Sequence, residues 1–460
     1  MNAFIVGLFF AAMLLMGLVS MKKIRTMASF TVADRRASVF MVTGSLLATI
    51  VGGSSTVGLA GLGFSRGLVG AWWLLVGVLG LTFLAIFLAK HVRKTKAFTL
   101  PEILERQYGG KAARTAASLL IVIAWLGIIA AQIIAAGKIM SVLWPGQVQA
   151  LTILAALVFI LYTALGGQYS ILLTDSVQAV IIAVGLALCL WLGISSVGGW
   201  TSFVTSLPRE FLSFPLSAEF GWKDLLTFLL FVGTAYLVGP DIYSRILSAR
   251  NAATARRALF MAALGLVFIA FTVVLIGMVA RIHLPDIASE SALPALIMAV
   301  VPAGLNGLIM AALLAAIMSS ADTCLLTAGT IITSDIIGGL CGRKLGEGTM
   351  LILTRICVVV VGLSALFIGL KMGGVIASLL LAYTVYSAGL VVPVVLGFYR
   401  EKLGLNAGGA IIAIVGGGFV GAVMKLSGSG EFLLFSLPFS AALLFAGSYG
   451  TRLLAGRRST

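Results

Sequence analysis

The chain has 460 residues, of which 60% are hydrophobic and only 10% are charged, and its formal net charge is +16. Because soluble domains carry about 25% charged residues, this composition excludes an ordinary water-soluble fold. The apolar residues form blocks of about 20, long enough for a helix to cross the hydrocarbon layer of a membrane. The sequence therefore predicts an all-α integral membrane protein of the cell (inner) membrane, with one transmembrane domain over 1–460.

The apolar blocks predict about 13 transmembrane helices. The predicted spans lie near 2–20, 39–63, 68–90, 115–142, 149–166, 171–197, 223–242, 258–281, 303–333, 350–370, 373–398, 407–425 and 431–452. The first block could instead be a cleaved signal peptide, but it lacks a basic n-region and a clear cleavage site. We therefore expect it to be retained as an extra N-terminal helix.

Most lysine and arginine residues lie in alternate loops, including 22–36, 93–114, 245–257 and 400–402. In membrane proteins such a bias marks the cytoplasmic side, so Arg245 is assigned to a cytoplasmic loop. The N-terminus is then outside and the C-terminus inside, which requires an odd number of spans. Since the positive charge is explained by topology, we expect no nucleic-acid partner.

Two predicted spans contain residues that interrupt helices. The second span carries Gly52-Gly53-Ser54-Ser55, and the seventh ends in Gly239-Pro240-Asp241, five spans later. This spacing fits two five-helix repeats that each begin with a broken helix, and transporters bind solutes and ions at such breaks. Two alternatives remain: the glycines could only permit close packing, and Pro240 could only end a helix at the cytoplasmic surface.

Ionisable residues within spans are costly and mark functional sites. Asp175 begins the sixth predicted span, where it could instead be an N-cap, and Asp322 lies within the ninth. Ala316, Ser319 and Thr323 share one face of that ninth helix with Ser320. Hydroxyl and carbonyl oxygens suit a small hard cation, although such hydroxyls can also bond to their own helix.

The segment 162–168 (Tyr-Thr-Ala-Leu-Gly-Gly-Gln), followed by Thr174-Asp175 and Gln178, closely resembles the sodium/solute symporter family. The loop 99–109 (TLPEILERQYG), Gly239-Pro240 with Arg245, and Met318-Ser319-Ser320 agree with it. The resemblance covers nearly the whole chain. It implies a leucine-transporter-like fold with inverted repeats over 39–197 and 223–398, one extra helix at 2–20 and two C-terminal helices over 407–452.

The resemblance also implies site residues, position by position. Its main sodium site corresponds to the carbonyls of Ala48, Val51 and Ala316 and the hydroxyls of Ser319 and Ser320. A second sodium site corresponds to Asp175, Ser319 and Thr323, with Asp322 where relatives that bind two ions carry a hydroxyl. The solute-binding candidates are Gly52, Gly53, Ser54, Ser55, Trp73, Gln132 and Tyr236. Trp73 could alternatively be an interfacial anchor.

These residues predict a sodium-coupled secondary active symporter that imports a small polar solute, such as an amino acid or a monocarboxylate, by alternating access. The coupling ion is Na+, the partners are the solute and the lipid bilayer, and no obligate protein partner is expected. One alternative is proton coupling through Asp322 or Asp175, and another is a membrane sensor that acts with a separate protein. We expect no enzyme activity, because the two histidines, His91 and His283, lie near the predicted surfaces without a nucleophile–base pair.

Overall fold

A computed structural model of the chain describes residues 26–166, 168–341, 346–371, 374–427 and 432–457, together with residues 4, 5, 7, 8, 10–12 and 15. Within these residues every regular element is a helix, apart from the isolated β-bridges Ala37–Ala249 and Ser217–Phe220. Much of the predicted helix at 2–20 lies outside the described residues.

The helices fall into two halves of the chain. The first half contains α1 (Met27–Val32), α2 (Val39–Ile50), α3 (Leu59–Arg66), α4 (Trp72–Phe83), α5 (Ala89–Thr95), α6 (Leu100–Tyr108), α7 (Lys111–Leu143), α8 (Val148–Leu165) and α9 (Gln168–Ser196). The second half contains α10 (Gly199–Thr205), α11 (Trp222–Thr227), α12 (Thr234–Val238), α13 (Pro240–Ser248), α14 (Ala252–His283), α15 (Ala292–Val300), α16 (Leu305–Ile331), α17 (Gly338–Cys341), α18 (Glu347–Lys371), α19 (Val375–Gly397), α20 (Arg400–Leu403), α21 (Ala407–Leu426) and α22 (Ser436–Arg457).

Shorter helical turns join several of these helices. Wide π-helical turns occupy Ser54–Gly58, Leu84–Leu88, Phe228–Gly233 and Ile332–Ile337. Tight 3-10 turns occupy Ala33–Arg35, Gly67–Ala71, Arg209–Leu212, Ser289–Ser291 and Phe432–Phe435.

Ten helical segments of the described chain are long and apolar enough to cross a membrane. One of them, Ser54–Thr95, has 42 residues, which at 1.5 Å per residue spans about 63 Å, twice the hydrocarbon thickness. The chain turns within this segment at Gly67, where φ is +71°. The part before Gly67, residues 54–66, spans only about 20 Å and continues the path of α2, so the segment combines the end of one crossing with the next one. The total of 13 spans, the inverted repeats and the orientation of the termini stay predictions.

The first break separates α2 from α3. Helix α2 ends at Ile50, and the helical path resumes at Ser54 after the short bend that contains Gly52 and Gly53. A Cβ on Gly52 would lie 2.2 Å from the Ser320 hydroxyl oxygen, and one on Gly53 would lie 2.3 Å from the Ala135 Cβ. These glycines thus allow both the break and the close approach of neighbouring helices.

The second break separates α12 from α13 at Gly239, and Pro240 is the first residue of the new helix. The alternative that Pro240 only ends a helix at the surface is wrong, because α13 continues to Ser248 with all but one of its residues buried. The assignment of Arg245 to a cytoplasmic loop is also wrong. Arg245 lies inside the span Trp222–Ser248 and its side chain is 0% exposed.

Helix α16 is the central helix of the molecule. Of the 18-residue apolar window of its span, 94% is buried, compared with 33% for the window of α18. It packs against α2, α7, α8, α9 and α18. Polar residues on α16 are therefore surrounded by protein rather than by lipid, which lets them serve a site.

Helices α3 and α14 pack with their backbones in direct contact. A Cβ on Gly277 would lie 2.0 Å from the Ala60 carbonyl oxygen, and a Cβ on Gly63 would lie 2.3 Å from the Val274 carbonyl oxygen. Small residues permit this close approach, and van der Waals contact is the main attraction between membrane helices.

We predict that Gly277→Ala destabilises the protein, because the added methyl group would overlap the α3 backbone and such overpacking costs about 1–3 kcal/mol. The measurement is the thermal unfolding temperature of the purified protein in detergent. Gly348→Ala in α18 is the matched control, since no described atom lies within 4 Å of its added Cβ apart from its chain neighbours and its own helix backbone. Equal unfolding temperatures for the two variants would contradict the described α3–α14 contact.

Candidate functional site

Side chains satisfy the backbone groups that the first break sets free. The Gly53 N–H donates to the Gln132 side-chain oxygen at 2.7 Å. The Ser55 hydroxyl donates to the Ile50 carbonyl at 2.6 Å, and the Thr56 hydroxyl donates to the Gly52 carbonyl at 2.8 Å. The bend is therefore held in a fixed shape by α7 and by its own hydroxyls.

The end of α2 meets α16 through Ser320. The Ser320 hydroxyl donates to the Thr49 carbonyl at 2.5 Å and lies 3.3 Å from the Ala316 carbonyl. Ala48 and Val51, the other predicted carbonyl ligands of the main sodium site, are buried beside Thr49 on α2 and in the bend. The structure thus brings Ser320 and Ala316 to the end of α2 that carries Ala48 and Val51.

Ser319 belongs to a neighbouring polar cluster around Asp175. The Asp175 carboxylate accepts hydrogen bonds from the Ser319 hydroxyl at 2.6 Å and from the Ser45 hydroxyl at 2.5 Å. Asp175 is 1% exposed and lies seven residues after the first residue of α9. The alternative that Asp175 is an N-cap is therefore wrong.

Arg245 completes this cluster from α13. One of its terminal nitrogens lies 3.4 Å from the Asp175 carboxylate and donates to the Thr49 hydroxyl at 2.6 Å and the Thr323 hydroxyl at 2.5 Å. Its Nε donates to the Ser45 hydroxyl at 3.1 Å. The guanidinium therefore connects α2, α9, α13 and α16 within the protein interior.

Asp322 faces a different partner. Its carboxylate accepts a hydrogen bond from the Thr163 hydroxyl at 2.6 Å, and Thr163 belongs to the segment that carries the family resemblance. Of the residues predicted for a second sodium site, Asp175, Ser319 and Thr323 share the Arg245 cluster. The Asp322 carboxylate is bonded to α8 instead.

A cavity of about 50 Å³ lies beside the first break and shares Ser320 with the predicted sodium site. Thr49, whose carbonyl accepts from the Ser320 hydroxyl, also lines it. Among the predicted solute residues, Ser54, Gln132 and Tyr236 line it. Trp73 does not line it, because its ring packs behind Tyr383 at 6.4 Å between ring centres. Trp73 is 1% exposed, so the alternative of an interfacial anchor is wrong.

The other three predicted solute residues are packed against protein. Gly52 and Gly53 have no room for a side chain, and the Ser55 hydroxyl is used within the bend. These three residues lie outside the cavity wall and fix the position of the bend that borders it.

Among the residues of the cavity wall that the sequence reasoning missed are Trp125, Asp241, Tyr383 and Tyr386. Asp241 could have been found, because it follows Gly239-Pro240 at a helix break. The aromatic residues gave no such signal, since tryptophan and tyrosine in an apolar span are compatible with ordinary packing.

Comparison with known proteins identifies the family. The model of the family described as "Sodium:solute symporter family" matches residues 30–417. Solute carrier family 5 member 4B of Mus musculus is 27% identical over 419 residues, which cover 80% of this chain and 63% of that protein. Sodium/glucose cotransporter 4 of Homo sapiens is 26% identical over 380 residues, which cover 73% of this chain and 55% of that protein. The chain thus spans less than two thirds of the length of these curated relatives.

Solved structures support the fold. The substrate-bound outward-open state of a Na+-coupled sialic acid symporter matches with a TM-score of 0.83 at 20% identity, covering 98% of this chain and 97% of that chain. MhsT in complex with L-phenylalanine matches with a TM-score of 0.55 at 15% identity, covering 90% of this chain and 99% of that chain.

The family match confirms the resemblance seen in the sequence. The family consists of multi-pass membrane transporters that use Na+ as the coupling ion and are not enzymes. The chain belongs to the sodium:solute symporter family.

Proposed function

We propose that this chain is a sodium-coupled symporter that imports a small polar solute by alternating access. The observation that carries the proposal is the contact of Ser320 on α16 with the Thr49 carbonyl at the end of α2. This contact brings hydroxyl and carbonyl oxygens together at a helix break inside the membrane domain, where transporters of broken-helix design bind coupling ions.

The donor set fits a sodium ion. The carbonyls of Ala48, Val51 and Ala316 and the hydroxyls of Ser319 and Ser320 are hard oxygen ligands, which suit a small hard cation. Bound sodium supplies a positive charge that holds the end of α2 against α16. Because Ser320 of this set lines the cavity together with Thr49, which adjoins Ala48 on α2, fixing α2 also fixes one wall of the solute site.

Coupling follows from this shared wall. Sodium and solute together stabilise the state in which α2 and α16 are in contact, and an ion can shift the equilibrium only by its differential affinity for the two states. Sodium that enters down its gradient supplies the driving force. Each charge that crosses 100 mV contributes about 2.3 kcal/mol.

We infer that one sodium ion, rather than two, moves in each transport cycle. The guanidinium of Arg245 already provides a cation at Asp175 and shares Thr323 with the predicted second site. A sodium ion bound there would have to displace a buried, hydrogen-bonded positive charge. Arg245 therefore takes the electrostatic role that a second sodium ion would have.

We predict that the purified protein unfolds at a higher temperature in sodium buffer than in potassium buffer of equal ionic strength. An ion that binds only the folded state stabilises that state. In Ser320→Ala the sodium concentration for half-maximal stabilisation should rise at least about tenfold, since a ligand to a charged group contributes about 1.5–3 kcal/mol. Ser118→Ala is the control, because Ser118 is a buried serine bonded to the Arg114 carbonyl of its own helix.

An unchanged sodium response in Ser320→Ala would count against the assigned site. Solute uptake into proteoliposomes that follows a pH gradient and ignores sodium would instead support proton coupling, with Asp322 as the first residue to mutate. Sodium-dependent solute binding without uptake would support a sensor.

We predict that the purified protein binds about one radiolabelled sodium ion per chain at saturation, because Arg245 occupies the second cation position. In Arg245→Gln the number bound should approach two, since Asp175 would then be open to sodium. About two ions bound per wild-type chain would exclude the one-ion proposal while leaving sodium coupling intact.

We predict that Arg245→Gln, measured in potassium, lowers the free energy of unfolding by about 3–5 kcal/mol, because it leaves a buried carboxylate without its cation. The double variant Arg245→Gln/Asp175→Asn should recover a large part of that loss. Arg257→Gln, at an exposed position of α14, is the control. If the double variant is as unstable as the single one, the ion pair does not carry the effect.

A further inference from the structure

The cavity beside the first break has an acidic side chain in its wall. Asp241, the second residue of α13, lines it, and none of the lining residues in the described part of the chain is basic. Asp241 therefore lies in the first turn of α13, and helix starts favour anions.

Arg245, one turn further along α13, does not neutralise Asp241 directly. Its guanidinium reaches the backbone carbonyl of Asp241 at 3.4 Å, whereas its ion pair is with Asp175. The guanidinium N–H groups of Arg245 also donate to the hydroxyls of Ser45, Thr49, Thr323 and Ser244. Among the described residues, Asp241 thus has no ion-pair partner of its own, and a buried charge is costly unless it is paired.

Aromatic rings form another part of the wall. Trp125, Tyr236, Tyr383 and Tyr386 line the cavity together with Asp241. The Trp125 and Tyr386 rings pack with centres 5.3 Å apart. Ring faces attract cations, and cages of such rings recognise ammonium groups. A carboxylate beside several aromatic rings is therefore a site for a positively charged organic group.

The wall also offers hydrogen-bond donors. The indole N–H of Trp125, a residue that is 2% exposed, has no partner within the described part of the chain. The side-chain oxygen of Gln132 is bonded to Gly53, which leaves its amide N–H groups for the cavity that Gln132 lines. These donors suit a hydroxyl or carboxylate oxygen elsewhere on the same solute.

We propose that the transported solute carries an ammonium group, primary or quaternary, which pairs with Asp241 and packs against the rings of this cavity. The inference rests on the proposed function and names the solute class for the same site. It disfavours simple monocarboxylates, which the Asp241 charge would repel. The cavity volume of about 50 Å³ restricts the solute to a compact molecule.

The test uses matched probes that differ in charge, added in sodium buffer to the purified full chain. Choline is compared with its neutral isostere 3,3-dimethylbutan-1-ol, and L-alanine is compared with L-lactate, in which a hydroxyl replaces the ammonium group. The readouts are the thermal unfolding temperature and calorimetric binding. We expect at least one ammonium probe to bind at least about tenfold more tightly than its partner, as measured for buried charge pairs.

The variant Asp241→Asn then assigns the effect to the carboxylate. Affinity for the bound ammonium probe should fall at least about tenfold, because the asparagine amide keeps the size of the side chain but removes its charge. The control is Asp224→Asn, an acid of the same span that caps α11 by accepting from the Gly221 N–H and does not line the cavity. Size-exclusion profiles check that both variants fold.

Tighter binding of the neutral or anionic partners, or no stabilisation by any ammonium probe, would overturn the inference. The probe pairs decide this on the wild-type protein, even if Asp241→Asn fails to fold. Failure of the proposed function has a different signature, because the wild-type protein would then show no sodium-specific stabilisation whichever solute is added.

Discussion

The hydrocarbon interior of a membrane supplies no water for a free backbone N–H or C=O group, so each helix break needs protein partners. At the first break Gln132, Ser55 and Thr56 provide them. At the second break the Tyr243 hydroxyl donates to the Leu237 carbonyl at 2.9 Å, and the Tyr386 hydroxyl donates to the Val238 carbonyl. Polar side chains of the interior thus lie next to the free backbone groups of the two breaks. The need to satisfy those groups explains why the cavity beside the first break has a polar wall.

Helix α13 carries two charged residues with different surroundings, Arg245 in an ion pair with Asp175 and Asp241 in the cavity wall. Arg245 and Asp175 neutralise one another and join four helices, which keeps the hydroxyls of Ser319 and Thr323 in fixed positions. Asp241 sits on the same short helix as Arg245 but faces the cavity. Because these two residues are one turn apart, α13 connects the cavity to the polar cluster of Arg245 and Asp175.

The two breaks and the hydroxyls of α16 could be predicted, because glycine, proline and serine stand out against apolar residues. Arg245 could not be placed in the same way. A hydropathy pattern ends a span at the first charged residue, and the acid that allows Arg245 to be buried lies 70 positions earlier in the sequence. Trp125 and Tyr383 of the cavity wall were missed for a related reason, since they come from different spans and only the folded chain brings them together.

The glycine contact between α3 and α14 limits how the molecule can move. With Gly277 against the Ala60 carbonyl and Gly63 against the Val274 carbonyl, neither helix has a groove along which the other could slide. A shift of one residue along the axis would drive a side chain into a backbone. These two helices must travel together as one rigid body, so any hinge that opens the cavity lies outside this pair.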